Sequence, residues 1–490
     1  MHETPHKDVE SLDDEAGDGS TSAARIGLFV GPLLAAAAVL ITHPTVGAMG
    51  GFSADASWVL GMLALMASWW VTLAVEPAIT GLIPIVALAA LKIGTPSEIA
   101  SSYASDVIFL FGGGALLGLA LERTQVSKKF AALLINLAGT SPLRVLAALM
   151  IASALLSAFV SNLATAATMM PLALALGMQA RTSAQTPTQR AAATRFLTSL
   201  LLGVAFASSI GGALTIIGSP PNPIAVEWLR KNGVEMTFLG WLRFSVPTTL
   251  VFLPIAIVVL GVWQFPAREL TIVRLARDAH PLNRDGVAAL IVFGCAVLAW
   301  VTRPMYSGVF PGIEDGTIAV AAATILFFIP SASRRGAAIL EPSAFAQVPW
   351  RVLVLFGGGL SLAAAMQRTG LSAALGEMIA SAGTLPSIAL LLIMVTTMVF
   401  ASEVASNTTL AAMAVPIVGA LAPGLGVAPE TLVIPAVFAA SWAFALPVGT
   451  PPNALIYASG HVRAKDMMRT GLILDVFAIA VIVVMAKLLL

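Results

Sequence analysis

The chain has 490 residues, of which 58% are hydrophobic and 10% are charged, and its formal net charge is +1. Soluble globular domains carry about 25% charged residues, so this composition excludes an ordinary water-soluble fold. The balanced charge gives no reason to expect nucleic acid as a partner. The single cysteine, Cys295, excludes an internal disulfide and a cysteine metal site.

The chain begins with an acidic tail, residues 1–24, which contains seven carboxylates and few apolar residues. We expect this tail to be disordered, because it cannot bury enough apolar surface to fold. Apolar runs follow at 24–42, 247–262 and 471–486. Each is close to the ~17–25 residues that a helix needs to cross a bilayer. Strand-like alternation is absent, so the sequence predicts membrane-spanning helices.

The connections between apolar segments alternate in charge. Because basic connections lie on the cytoplasmic side, the N-terminus should be cytoplasmic and the C-terminus outside, in a multi-pass protein of the cell (inner) membrane. Arg230 and Lys231 do not fit this pattern. The basic connections carry Lys128, Lys129, Arg181, Arg190, Arg195, Arg268, Arg274, Arg277, Arg284, Arg334, Arg335, Arg463, Lys465 and Arg469, and those poor in basic residues are 44–55, 304–315 and 422–430.

Two parts of the chain repeat each other. Three motifs recur 245 residues later: Phe-Gly-Gly-Gly at 111 and 356, Arg-Thr at 123 and 368, and Ser-Asn at 161 and 406. A Gly-Ser/Thr-Pro-Pro-Asn run recurs at 218–222 and 449–453. The repeats cover roughly 107–235 and 352–465, and the loop charges give them opposite orientations. Inverted repeats are typical of transporters, with the binding site at the repeat interface.

Each Ser-Asn pair lies in an apolar stretch whose two arms are too short to cross the membrane separately, which predicts a re-entrant hairpin. Each Pro-Pro pair breaks a helix. Unpaired backbone groups are tolerated within a membrane only when they are buried in protein or line a polar cavity. The four breaks therefore predict a polar cavity near the midplane. The alternative is polar contacts between helices with ordinary proline kinks, and the glycine triplets favour close helix packing.

The residues at these breaks are polar but uncharged. Helix N-termini after the breaks offer amide donors to a carboxylate or sulfate. Free carbonyls with serine and asparagine oxygens suit a small cation. The candidate residues are Ser157, Ser161, Asn162, Ser219, Asn222, Ser402, Ser406, Asn407, Thr408, Thr450 and Asn453.

An enzyme and a channel are the competing classes. The sequence has no nucleophile with a matching base, no metal-spaced histidine cluster and no phosphate loop, so we expect no enzymatic activity. A channel needs a continuous charged or carbonyl-lined pore, whereas two occluding hairpins favour alternating access. Four acidic residues in apolar segments receive no role from the sequence, namely Glu76, Glu122, Glu403 and Asp475.

At these motifs the sequence resembles the divalent anion:sodium symporter family, from about residue 24 to the C-terminus. The resemblance implies a homodimer in which a scaffold domain holds the dimer contact and a transport domain moves as an elevator. Leu163 replaces the threonine of the family's first Ser-Asn-Thr, so the exact anion stays open. The specific matches are Ser161-Asn162 with Ala164-Thr165, Ser406-Asn407-Thr408, and the runs 218–222 and 449–453.

The resemblance also implies two sodium sites and one substrate site. The first sodium site would use Ser157, Ser161, Asn162 and the carbonyl of Gly218. The second would use Ser402, the carbonyl of Ala405, Asn407 and the carbonyl of Gly449. Substrate would contact Ser161, Asn162, Ser219, Pro220, Ser406, Asn407, Thr408, Thr450 and Pro451.

We therefore predict an all-α polytopic membrane protein with about 11 transmembrane helices and two re-entrant hairpins. Its expected function is sodium-coupled symport of C4 dicarboxylates such as succinate, malate or fumarate. Symport of sulfate or citrate, and sodium-independent dicarboxylate exchange, are the alternatives. The expected segments are a disordered tail (1–24), scaffold helices (25–106), transport repeat 1 (107–235), scaffold helices with linkers (236–351), transport repeat 2 (352–465) and a final transmembrane helix (466–490).

Overall fold

The computed structural model describes residues 17–45, 47, 52–272, 282–381 and 386–490. Within these ranges the chain is helical and forms no strand, apart from one isolated bridge between Pro330 and Ala338. The predicted all-α class is confirmed. Nine of the described helices are long and apolar enough to cross a membrane. The expected larger number of spanning helices stays a prediction.

The helices alternate with short connections along the whole described chain. The first eleven are α1 (Gly17–Thr42), α2 (Ala54–Thr72), α3 (Pro77–Thr80), α4 (Ile83–Ala90), α5 (Pro96–Ser101), α6 (Asp106–Arg123), α7 (Val126–Leu137), α8 (Pro142–Ser157), α9 (Asn162–Ser183), α10 (Pro187–Gly212) and α11 (Pro221–Lys231). The others are α12 (Phe238–Val258), α13 (Arg284–Tyr306), α14 (Asp315–Phe328), α15 (Trp350–Arg368), α16 (Leu371–Ser381), α17 (Ser387–Ser402), α18 (Asn407–Leu421), α19 (Glu430–Ser441), α20 (Pro451–Ala458) and α21 (Ala464–Leu489). A π-helical turn, Val259–Gln264, continues α12, and two short 3₁₀ turns occupy Pro342–Gln347 and Pro423–Leu425.

Helix bounds follow the sequence repeat. Helices α8 and α17 run over 142–157 and 387–402, and α9 and α18 begin at 162 and 407, again 245 residues apart. Three of the four hairpin arms have 15 or 16 residues, as expected. The fourth, α9, has 22 residues and is long enough to cross a membrane, so the expectation that every arm is short was wrong. Pro171 lies inside α9 and did not end it.

The predicted acidic tail is only partly described. Helix α1 begins at Gly17, earlier than the sequence indicated, and residues 1–16 lie outside the described residues.

The chain divides into two compact units. The first contains residues 1–104, 350–384 and 412–427. In it, α1 packs on α2, and α15 packs on α3 and α4. Glycines of α15 permit this close approach. A Cβ on Gly358 would lie 2.3 Å from the carbonyl oxygen of Gly81, which follows α3, and a Cβ on Gly357 would lie 2.1 Å from the ring of Tyr103, which follows α5. This confirms close packing for the second glycine triplet.

The second unit contains residues 105–349, 385–411 and 428–490, and so includes both Ser-Asn pairs and both Pro-Pro pairs. In it, α6 packs on α14, and α10 packs on α8 and α9. The first glycine triplet again allows close approach, since a Cβ on Gly113 would lie 2.7 Å from the Ala319 backbone. The repeats also interlock: α11 of the first packs on α19 of the second, and α20 of the second packs on α9 and α10 of the first.

A buried ionic network joins several helices of this second unit. Arg230 binds Asp106 (3.0 Å) and Asp315 (2.9 Å), and Arg303 also binds Asp315 (3.3 Å). The side chain of Asp315 is fully buried. Lys231 pairs with Glu227 at 3.5 Å. Both residues that disagreed with the loop-charge pattern are therefore neutralised by carboxylates within the fold.

Candidate functional site

The first Ser-Asn pair forms the turn between α8 and α9. Ser161 caps α9, with its Oγ accepting a hydrogen bond from the Ala164 amide at 3.3 Å. Ser157, the last residue of α8, is fully buried and its Oγ donates to Asn162 Oδ1 at 2.8 Å. Serine suits this N-cap because its oxygen satisfies an amide that has no partner in the helix.

The side-chain amide of Asn162 faces oxygen atoms. One of its terminal atoms lies 2.8 Å from Ser157 Oγ, 3.2 Å from Gly218 O and 3.3 Å from Ser208 O. If that atom is the amide nitrogen, it donates to all three oxygens. If it is the amide oxygen, four oxygens from a serine, two carbonyls and an asparagine converge. Such a group of neutral oxygens suits a small hard cation.

The first helix break, residues 213–220, lies directly against this tip. Thr215 Oγ1 donates to the Ala158 carbonyl, and Asn222 Nδ2 donates to Gly212 O (2.8 Å) and Thr215 O (2.7 Å). A Cβ on Gly218 would lie 2.7 Å from Gly212 O and 2.9 Å from Ala158 O. Only glycine therefore fits at 218 without moving backbone carbonyls.

The second tip, between α17 and α18, has the same order of helix, Ser-Asn turn and helix, but its side chains make different hydrogen bonds. Ser402 is fully buried and its Oγ donates to Val399 O at 2.7 Å. Asn407 begins α18, and its Oδ1 is buried without a hydrogen-bond partner among the described residues. The tip meets its break at Gly449, where a Cβ would lie 2.7 Å from Glu403 Oε2 and 3.5 Å from Glu403 Cα.

The second break, residues 442–450, is followed by α20. Thr450 caps this helix, with its Oγ1 accepting from the Asn453 amide at 3.3 Å. Asn453 Nδ2 donates to Leu446 O (3.1 Å), much as Asn222 binds the first break. In both asparagines Oδ1 is buried and has no partner among the described residues. The two Pro-Pro-Asn runs thus have equivalent structural roles.

The structure brings some of the predicted site residues together by direct contact. Ser157, Asn162 and Gly218 of the first expected sodium site meet, whereas Ser161 caps a helix and is exposed. In the second repeat, Gly449 lies against the residue after Ser402. The other predicted residues occupy the tips and the break ends: Ser219, Pro220, Ala405, Ser406, Thr408, Thr450 and Pro451.

The sequence analysis gave no role to three residues that contact the tips and breaks. The Ser208 carbonyl faces Asn162, and Gly212 passes so close that a Cβ would lie 2.2 Å from Asn162 Oδ1. Both lie in α10, far along the chain from the tip, and nothing in the local pattern marks them. Glu403 was noted as an acid in an apolar segment but received no role, although an acid beside a Ser-Asn pair is itself unusual.

A sizeable cavity lies elsewhere in the second unit. It measures about 750 Å³ and contains none of the predicted site residues. Opposite charges line it, including Arg123, Lys129, Asp285 and Glu341. Asp285 is already bound there by Ser331 Oγ (2.7 Å) and the Ala332 amide (2.6 Å). We therefore identify the candidate functional site by the chemistry of the tips and breaks and not by this cavity.

Comparison with known proteins gives a family match and similar sequences. A family model described as citrate transporter (CitMHS) matches residues 62–433. The sodium-dependent dicarboxylate transporter SdcS of Staphylococcus aureus strain USA300 is 34% identical over 474 residues, covering 94% of this chain and 89% of that protein. SdcS of strain NCTC 8325 / PS 47 gives the same identity and coverage.

A solved structure shares the fold. The crystal structure of the Alcanivorax borkumensis YdaH transporter superposes with a TM-score of 0.54 at 16% identity, covering 96% of this chain and 97% of that one. At this identity the likeness concerns the fold alone.

Proposed function

Because the chain belongs to the citrate transporter family, of the divalent anion:sodium symporter type, we propose that it carries a C4 dicarboxylate across the membrane together with sodium ions. It is a transporter by family and not an enzyme. The similarity to a sodium-dependent dicarboxylate transporter over 94% of the chain supports the choice of ion and anion.

One observation carries the sodium coupling: the Asn162 amide lies among Ser157 Oγ, Gly218 O and Ser208 O at 2.8–3.3 Å. In the proposed site, sodium is held by these neutral oxygens, with the amide oxygen facing it. The second ion is held by Ser402, Asn407 and the carbonyls of Ala405 and Gly449. Support for this comes from the buried Asn407 Oδ1, an acceptor with no donor among the described residues.

The anion is held in the same cavity by donors at the helix starts. The amides that follow Ser161, Ser406 and the two Pro-Pro pairs provide partial positive charge, and the hydroxyl of Thr408 adds a donor. Each repeat then holds one carboxylate, which suits a short dianion. The bound sodium ions offset its charge, since none of the proposed binding residues is basic.

Uptake into proteoliposomes tests the sodium coupling. Labelled succinate should accumulate inside when an inward sodium gradient is imposed, and should not accumulate when choline replaces sodium. Equal uptake in choline, with succinate exchange intact, would make the protein an exchanger. Single-channel currents from the purified protein would instead indicate a pore.

A competition panel tests the anion. Succinate, malate and fumarate should each compete with labelled succinate. Citrate is the second candidate, because the matched family model is described as a citrate transporter and Leu163 removes a hydroxyl expected at the site. If citrate or sulfate competes and C4 dicarboxylates do not, the dicarboxylate assignment fails.

We propose an elevator mechanism in a homodimer of the cell membrane, with a cytoplasmic N-terminus, the C-terminus outside and the scaffold and transport segments given above. Both tips and both breaks lie in one compact unit, which supports their movement together. This unit also contains residues 236–349 of the proposed scaffold, and residues 352–384 of transport repeat 2 lie in the other unit. Light scattering in detergent tests the dimer. To test the orientation, Cys295 would be replaced by serine and a new cysteine placed at Ser183, the last residue of α9. An impermeant thiol reagent should label it only from the cytoplasmic side.

A further inference from the structure

A polar cavity of the second unit lies at the ends of two membrane-length helices. It measures about 750 Å³ and is lined by the turn after α6, the start of α13 and the loop 331–343. Arg123 ends one helix that is long enough to cross a membrane and Arg284 begins another, so the cavity lies at the membrane surface. The connections that meet there carry basic residues at 128–129, 284 and 334–335. In the proposed orientation this surface is cytoplasmic.

The two acids of the cavity already have partners. Asp285 accepts hydrogen bonds from Ser331 Oγ (2.7 Å) and from two backbone amides of the same loop (2.6 and 3.2 Å). Glu341 Oε1 accepts from Arg334 Nη1 at 2.6 Å, and Arg334 Nη2 donates to two carbonyls of the loop. These three side chains hold the loop in place, so a ligand must bind to the remaining groups.

Arg123 lines the cavity without a partner of its own. Its guanidinium has no hydrogen bond and no ion pair within the part of the chain that the structure describes. Glu122, the preceding residue, lies beyond ion-pair distance and acts on Arg123 only at longer range. Arg123 is half-buried, and its guanidinium carries five N–H donors. The cavity therefore offers donors to a ligand that carries acceptor oxygens.

The second repeat shows how the equivalent arginine is bound. Arg368 stands 245 residues after Arg123 and likewise ends its helix, α15. Its guanidinium lies 3.5 Å from the Ile93 carbonyl oxygen and 3.9 Å from Glu98 Oε2. At the end of α6 the cavity takes the place of these acceptors. The unpaired guanidinium is thus particular to the first repeat.

Exposed apolar side chains continue from the cavity along α13. Val287, Leu290 and Ile291 are 44–60% exposed, and their spacing places them on one face of the helix. This face begins two residues after Asp285, and Phe328 at the end of α14 is also exposed. In a helix that crosses a membrane, such a face contacts acyl chains. A ligand that fits both features has an anionic head and apolar chains.

We propose that the cavity binds the phosphate group of an anionic phospholipid from the adjoining leaflet. The planar fork of Arg123 suits two phosphate oxygens, and Lys129 on α7 adds positive charge. Basic pockets between transmembrane helices at the cytoplasmic side bind such head groups. The acyl chains then lie along the exposed face of α13. A free dicarboxylate fits less well, because it has no chains to cover that face.

Native mass spectrometry of the purified full chain in an uncharged detergent tests the binding. The measurement counts bound phospholipid and needs no substrate, so it is independent of the proposed function. Phosphatidylglycerol should bind more tightly than phosphatidylcholine, which has no net charge. Arg123→Gln should weaken phosphatidylglycerol binding about ten- to a hundredfold, because charge-assisted hydrogen bonds are lost.

Arg335→Gln is the matched control. It removes an equal charge from an exposed residue of the loop 331–343 that does not line the cavity, so it should bind phosphatidylglycerol as the wild type does. Equal affinity in the wild type and Arg123→Gln overturns the proposal. An equal loss in Arg335→Gln also overturns it, because the lipid would then be attracted by general surface charge.

Melting temperature gives a second readout, because a ligand that binds only the folded protein raises it. Phosphatidylglycerol should raise the melting temperature of the wild type more than that of Arg123→Gln. If Arg123→Gln does not fold, Arg123→Lys, which keeps the charge but loses the planar fork, should show the smaller rise, and a full rise would contradict the proposal. Inorganic phosphate should not reproduce the effect. An equal rise with inorganic phosphate would assign the cavity to a soluble phosphate compound and overturn the phospholipid as its ligand.

Discussion

Replacing Gly218 by alanine should damage the first sodium site. A Cβ there would lie 2.7 Å from Gly212 O and 2.9 Å from the carbonyl oxygens of Ser157 and Ala158. All three are backbone atoms, and two of them already accept hydrogen bonds from Asn222 and Thr215. The new methyl group must displace them, and the Gly218 carbonyl moves away from Asn162. Overpacking of this kind costs about 1–3 kcal/mol.

Because each 1.4 kcal/mol is a factor of ten, the sodium concentration for half-maximal uptake should rise roughly 5- to 150-fold. The assay is succinate uptake over a sodium titration, after size-exclusion chromatography confirms that the variant is folded. Gly294→Ala is the matched control, since nothing lies within 4 Å of its Cβ position in α13. If Gly218→Ala shows the same sodium dependence as Gly294→Ala, the carbonyl at 218 is not a ligand.

Four further predictions concern the two tips and the ionic network. Asn407→Asp should abolish uptake without loss of expression, because a new carboxylate repels the dianion in a low-dielectric cavity; near-normal uptake would place the site elsewhere. Thr408→Val should weaken substrate affinity about ten- to a hundredfold, because the substrate loses a hydrogen bond worth about 1.5–3 kcal/mol, and the sodium dependence should be kept. Leu163→Thr should be tolerated. Competition curves measure both effects. Arg230→Met should lower the melting temperature by an amount matching up to about 3–5 kcal/mol, because Asp106 loses a guanidinium partner and the fully buried Asp315 keeps that of Arg303. Lys231→Met, in which the lost charge is 31% exposed and pairs with Glu227 across one helical turn, should lower the melting temperature less, and equal effects would contradict the argument.

The sequence located the two tips because of local chemistry. A Ser-Asn pair interrupts an apolar stretch at the same spacing in each repeat, and a Pro-Pro pair cannot continue a helix. These signals need no knowledge of the tertiary fold. They placed a hairpin tip at each Ser-Asn pair, where the structure has Ser161 as the cap of α9 and Asn407 as the first residue of α18.

The remaining features depend on contacts between distant segments. The Ser208 carbonyl reaches Asn162 only because α10 packs beside α9. Arg230 does not fit the loop-charge pattern because its partners, the half-buried Asp106 and the buried Asp315, come from distant parts of the chain. The sequence predicted that every hairpin arm is too short to cross the membrane, yet α9 continues through Pro171, because neighbouring helices can accommodate a proline within a membrane helix.

Exposure along the first tip decreases inward, and this gradient has a kinetic consequence. Ser161 is exposed, Asn162 is half-buried, and Ser157 and Gly218 are buried. In the proposed site the cation therefore lies beneath the anion, and the anion covers the route by which the cation entered. Binding then has a compulsory order in which sodium arrives first and departs last. Raising sodium would increase the apparent affinity for the anion, and saturating anion would trap sodium in its site.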